Sequence, residues 1–171
     1  MDSLECDAMM TPQPNSDLPQ RKPLGHAGTP AEVRRDGTPT FFVTVCAESR
    51  GGEPLLPLAG EILESAKVRN ARGVWFAKAA VVMPDHVHLL VTVPADTALA
   101  TAIGSWKRYL ARMHGARWQA NFFDHRIRNA DEEAEKFEYI RQNPVRRGLC
   151  ATPEEWPWRF VASPADGGAM R

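Results

Sequence analysis

Between residues 38 and 162 the apolar positions switch between two spacings: unbroken β-branched and aromatic runs, and stripes that recur every three or four residues. Residues 40–46, Thr-Phe-Phe-Val-Thr-Val-Cys, form a run of the first kind and predict a buried strand. Gly51 and Gly52 then turn the chain. Residues 55–70 carry Leu58, Ile62, Leu63 and Ala66 at helical spacing. A second strand is expected over 74–83, ended by Pro84, and a third over 86–93, ended by Pro94. Residues 96–114 place Leu99, Ile103, Trp106, Leu110 and Met113 on one helical stripe, which is core packing. A short fourth strand is expected over 122–127. A last helix follows Asn129, a candidate N-cap with Glu132 three residues on. That helix is expected to stop near Asn143, because Pro144 disfavours helical geometry in the residue before it. Its core face reads as Ala134, Phe137 and Ile140.

The order strand, helix, strand, strand, helix, strand predicts an α+β protein with a ferredoxin-like sheet and an added C-terminal helix. Residues 1–37 hold Pro12, Pro14, Pro19, Pro23 and Pro30 without apolar periodicity and read as a flexible tail. Residues 163–171 read as a flexible tip, leaving 38–162 as the folded domain. A chain of 171 residues suits one domain with an ordinary core.

Composition removes several classes. No run reaches the roughly 18 apolar residues of a membrane span, and the first 21 residues lack the apolar core of a secretory signal. Cys6, Cys46 and Cys150 are scattered and odd in number, which fits a reducing cytoplasm better than a disulfide or zinc scaffold.

Charge changes the picture through its distribution. Lys+Arg and Asp+Glu balance at 21 each, yet residues 97–130 carry Lys107, Arg108, Arg112, Arg117, Arg126 and Arg128 against Asp124 alone. Arg141, Arg146 and Arg147 follow near the end of the last helix. A solvated helix face would account for such a run, and so would a phosphate-binding surface.

Two segments carry candidate chemistry. In Asp85-His86-Val87-His88-Leu89-Leu90 the two imidazoles point to one face of an apolar strand, with Cα atoms about 6–7 Å apart, and can converge on one ion. In Tyr139-Ile140-Arg141-Gln142-Asn143-Pro144 a phenol and an amide lie one helical turn apart. Tyr139 sits roughly 100° round the helix from Ile140, off the core stripe. Ordinary packing would explain each segment singly; together they offer a divalent-metal site and an oxygen nucleophile. A histidine-triad hydrolase would want a histidine where Leu90 stands.

With these residues in view, the chain resembles the single-tyrosine HUH transposases. It is most similar to the branch associated with repetitive extragenic palindromes, the REP-associated tyrosine transposases. The resemblance rests on residues 82–90 and 139–149, together with Phe123-Asp124-His125-Arg126-Ile127-Arg128-Asn129 and Glu155-Trp156-Pro157-Trp158. It implies that His86, His88 and Asn143 bind Mg²⁺ or Mn²⁺, with imidazole suiting Mn²⁺. It implies that Tyr139 is the nucleophile in metal-dependent cleavage and strand transfer on single-stranded or hairpin DNA, through a 5′-phosphotyrosine. Insertion-sequence relatives usually carry glutamine where Asn143 stands, which favours the palindrome-associated branch. The nine basic residues named above are the candidate DNA contacts, with Tyr109 as a base-stacking or core residue. A cytoplasmic, nucleoid-associated protein is expected, as a monomer or a homodimer. The alternative is a domesticated protein that grips palindromic DNA without cutting it.

Overall fold

The computed structural model describes residues 38–49 and 51–163; the expected tail over 1–37 and nearly all of the expected tip lie outside the described residues. Five strands form one antiparallel sheet: β1 (Thr40–Cys46), β2 (Phe76–Val82), β3 (His86–Thr92), β4 (Phe123–Arg126) and β5 (Arg159–Val161), in the spatial order β4-β1-β3-β2-β5. Three helices, α1 (Ala59–Ala71), α2 (Leu99–His114) and α3 (Ala130–Arg146), complete the α+β architecture. The first four strands and two helices follow the order β1-α1-β2-β3-α2-β4.

β3 is buried along its whole length because it lies at the centre of the sheet, paired to β1 and β2. Alternation along it therefore sorts side chains onto two covered faces. Val87, Leu89 and Val91 join Val43, Val45 and Val82 beneath Ile62 and Ala66 of α1 and Ile103, Trp106 and Leu110 of α2. On the opposite face Leu90 joins Ala79, Val81 and Met83 beneath Ile140 of α3 and Trp156. The sheet thus separates α2 from α3. Within the first core Trp106 donates its indole N–H to Ser65 Oγ at 2.8 Å, so the buried ring keeps its polar atom paired.

Several boundaries differ from those read in the sequence. α2 starts at Leu99 rather than near 96, and Met113, read as core, is 62% exposed in the last turn before the Gly115 C-cap. Asn129 caps α3 as expected, accepting from Glu132 N–H at 2.8 Å. The expected stop near Asn143 is wrong: α3 continues through Pro144 to Arg146. A proline removes one donor, but Arg147 N–H still reaches Asn143 O at 3.1 Å and Leu149 N–H reaches Pro144 O at 2.9 Å. The helix loses one bond and keeps its course. Ala134, read as core, is exposed, and Asn143 and Pro144 are buried in its stead. β5 has no counterpart in the sequence reading; its three residues pair with Ala79–Val81 at the β2 edge.

Candidate active site

The face of the sheet under α3 holds the two histidines. The β1–β3 register sets Thr44 directly opposite His88 and Cys46 opposite His86. Thr44 Oγ1 lies 2.8 Å from His88 Nδ1, and Asp85 Oδ1, in the turn before β3, lies 2.7 Å from His86 Nδ1. Both rings are thereby held from behind, and their Nε2 atoms face one another 3.1 Å apart. With the protons on Nδ1, donated to Thr44 and Asp85, two lone pairs meet with no proton between them. A cation at that point relieves the repulsion, and a partner at the rear nitrogen is the usual way such a ligand is oriented.

Burial favours the neutral form of His88. Both histidines are about 5% exposed. The His88 imidazole is held well below its ordinary value, first by burial and then by the charges of His86 and Arg147. The Asp85 carboxyl is held below its ordinary value chiefly by its hydrogen bond with His86, against the opposing effect of burial. Arg147 Nη2 approaches the same carboxylate at 3.9 Å and ties the end of α3 to the β3 turn.

α3 brings the second segment to the same point. Asn143 is buried, and its Nδ2 lies 3.2 Å from His88 Nε2. A flip of that amide presents an oxygen donor to the same locus. Two imidazole nitrogens and one amide oxygen make a mixed donor set that fits Mn²⁺ or Mg²⁺. Among the described residues no three His, Cys, Asp or Glu side chains cluster as a metal site.

Tyr139, one turn before Asn143, is half-buried beside the pair. Its ring meets His88 edge-on at 5.5 Å between centroids and Phe42 at 5.6 Å. Phe42 in turn stacks on His88 at 5.2 Å. The Arg146 guanidinium lies 5.4 Å from the Tyr139 ring centre. Two segments about fifty residues apart in sequence thus converge on one locus.

No protein-family model matches the chain. Comparison with known proteins does find relatives. The REP-associated tyrosine transposase of Escherichia coli (strain K12) is 30% identical over 123 residues, covering 70% of this chain and 74% of that protein. The chain belongs to the REP-associated tyrosine transposase family. A Haemophilus influenzae protein provisionally given the same name is 26% identical over 147 residues, covering 75% of this chain and 84% of its own. A solved REP-associated tyrosine transposase, bound to a REP hairpin, superposes with a TM-score of 0.64 at 28% identity, covering 71% of this chain and 75% of that one.

Within this member of the REP-associated family the candidate DNA contacts fall into three sets. Arg146 and Arg147 flank Tyr139 and Asp85 at the candidate site. Arg141, on the same helix, is engaged by Glu138 at 2.9 Å and Glu154 at 2.7 Å. Lys107, Arg108, Arg112 and Arg117 lie on or just after α2, across the sheet from Tyr139. Of these, Lys107 Nζ is spent on the carbonyls of Gln119 and Ala120 at 2.7 and 2.9 Å, and Arg117 pairs with Glu48 at 3.1 Å. Arg126 and Arg128 are exposed at the β4 edge. Sequence reasoning missed Asp85, Thr44 and Phe42 as parts of the site. An acid beside the first histidine was a visible signal for Asp85, whereas the other two depend on strand register. No helix among the described residues is long and apolar enough to cross a membrane.

Proposed function

We propose that this protein cleaves and rejoins single-stranded DNA at hairpin or palindromic sequences through a covalent bond to Tyr139. The single observation that best supports the reading is the edge-on packing of Tyr139 against His88, whose Nε2 faces that of His86 at 3.1 Å. The family relationship and the superposition on a transposase bound to a REP hairpin point to the same partner.

In this reading Tyr139 Oη attacks the scissile phosphorus. A bond forms between the phenolic oxygen and phosphorus, and the bond from phosphorus to the 3′ oxygen breaks. The phenolic proton ends on the departing 3′-hydroxyl, and the 5′-phosphate stays on the tyrosine. Because the phosphodiester energy is retained, attack by the same or another 3′-hydroxyl reverses the step or transfers the strand. An unperturbed phenol is a weak nucleophile at neutral pH, since its ordinary pKa is near 10. His86, His88 and Asn143 would hold a divalent ion, which when bound polarises the phosphate and offsets the charge that develops on its oxygens. Thr44 and Asp85 keep both imidazoles in the tautomer with Nε2 free. Arg146, beside the tyrosine ring, supplies positive charge where the phosphate must approach. Phe42 packs edge-on with the tyrosine ring and holds it beside His88.

The test uses stem-loop DNA from palindromes of the protein's own genome, labelled separately at each end and incubated with Mn²⁺. A denaturing gel should retain on the protein only the label downstream of the cut. Tight binding without that adduct would overturn the cleavage reading in favour of a non-cutting palindrome binder.

A further inference from the structure

On the side of the sheet away from Tyr139, α1 and α2 enclose an open groove of about 310 Å³. Its walls carry an aromatic pair, Tyr109 and His114, whose rings meet edge-on at 5.8 Å. Tyr109 is 43% exposed, and Val68 beside it is also exposed, so an apolar ledge faces solvent there. Arg69 and Arg72 line the same groove, and neither has a carboxylate partner among the described residues. Arg69 is held in place by Ser105 Oγ at 3.2 Å and by the Trp75 ring at 5.6 Å. Its guanidinium is less basic than usual, first because of burial and then because of the neighbouring charge of Arg72. An anion between the two would offset that repulsion. Glu61 and Glu64 stand at the rim, Glu64 in a long pair with Lys67 at 3.8 Å.

Two guanidinium groups, an aromatic ledge and two carboxylates make a site for a ligand that has both an anionic group and amino donors. A lipid headgroup or a plain polyanion would meet the carboxylates unfavourably, and an apolar peptide would leave the arginines unused. A nucleotide satisfies all three features: phosphate to arginine, base face to Tyr109, and an exocyclic amine to a carboxylate. The surroundings favour a strand over a single nucleotide. Arg108 and Arg112, on the exposed side of α2 beside Tyr109, also have no carboxylate partner among the described residues. They extend the positive track past one phosphate.

We propose that this groove holds an unpaired nucleotide of a single-stranded DNA segment, its base stacked on Tyr109 and its phosphate held by Arg69 and Arg72. The site rests on the reading of the chain as a DNA-binding protein but is independent of chemistry at Tyr139. It would guide single-stranded DNA flanking a stem-loop along the face opposite the candidate active site.

Fluorescence anisotropy with stem-loop DNA, alone or with a mixed-sequence single-stranded extension, tests this. The extension should tighten binding to wild type. Tyr109→Ala should weaken the extended DNA roughly five- to 150-fold, the range for losing one stacked base. It should leave the bare stem-loop unchanged, and Tyr109→Phe should restore affinity. Arg72→Ala should also act only on the extended DNA. A photoreactive 5-iodouracil in the extension should crosslink to the α2 peptide carrying Tyr109. An extension that adds nothing in wild type, while the bare stem-loop binds, overturns the groove and leaves the DNA reading standing. Equal losses on both DNAs also overturn it. A free deoxynucleotide monophosphate that saturates the groove without competing with extended DNA would overturn the strand as occupant. Wild type that binds neither DNA would overturn the DNA reading itself.

Discussion

The Nε2 atoms of His86 and His88 face each other across 3.1 Å on one face of β3, each ring held at its Nδ1 by a separate partner. In the proposed function this pair receives a cation, and the consequences of that proposal can be measured without any DNA. Wild type should gain thermal stability from Mn²⁺, by about 2.7 kcal/mol at a hundred times the dissociation constant. His86→Ala and His88→Ala should lose that gain while binding stem-loop DNA within several-fold of wild type. A Mn²⁺-induced shift in melting temperature that persists in either variant would remove the metal-site assignment.

Asp85 reaches the site through His86 and should tune the ion rather than hold it. Asp85→Asn keeps the shape of the side chain but removes the charge that orients the imidazole. Mn²⁺ affinity by titration calorimetry should fall roughly 10- to 100-fold, the usual cost of losing such a partner. Unchanged affinity would make the 2.7 Å contact purely structural.

Much of this site was legible because it depends on local periodicity. Two histidines spaced by one residue must share a strand face, and Tyr139 and Asn143 must share a helix face whatever surrounds them. The end of α3 was misread because the bias against helix before proline is local, while burial of Asn143 and Pro144 against the sheet is tertiary. β5 was missed because three residues with only Phe160 half-buried carry almost no pattern; pairing with β2 makes them a strand. Register likewise decides that Thr44 backs His88, and packing decides that α2 lies across the sheet from Tyr139.

The basic residues nearest the tyrosine give a salt-dependence prediction. Arg146→Ala with Arg147→Ala should lower the slope of log affinity against log salt by roughly 0.7 for each single-strand phosphate left without its arginine. Filter binding across a salt series measures it. An unchanged slope would mean that both side chains face solvent in the complex.

Glu132 links β4 to the first turn of α3 and gives a pH prediction. Its carboxylate meets His125 Nε2 at 2.5 Å and accepts from the Arg128 N–H at 2.7 Å. Burial pushes the carboxyl up, but these two hydrogen bonds and the charges of His125 and Arg128 together outweigh it and hold the group below its ordinary value. A depressed carboxyl stabilises the fold above its unfolded value, near 4.3, and loses that contribution as pH falls through the folded value. The melting-temperature gap between wild type and Glu132→Gln should therefore narrow from its value at about pH 5 as pH falls below about 4. A gap that stays constant down to pH 3 would show that the ionised carboxylate contributes nothing.

Tyr139→Phe separates chemistry from structure most cleanly. The substitution removes one oxygen and keeps the ring that packs on His88 and Phe42. Helix propensity hardly changes, because phenylalanine and tyrosine rank together. Stability should shift by about 1 kcal/mol or less, the range of a modest hydrogen bond at a half-buried site. Mn²⁺ binding should survive, since none of the three candidate ligands is touched. Stem-loop affinity should also stay near wild type, because the arginines and the ring remain. Only the covalent DNA adduct should vanish. Tyr109 lies across the sheet and cannot substitute for the lost hydroxyl. The decisive measurement is the denaturing gel, run beside a melt and a binding curve on the same preparation. A Tyr139→Phe protein that still forms the adduct would sink the nucleophile assignment, whatever the melt and the binding curve report.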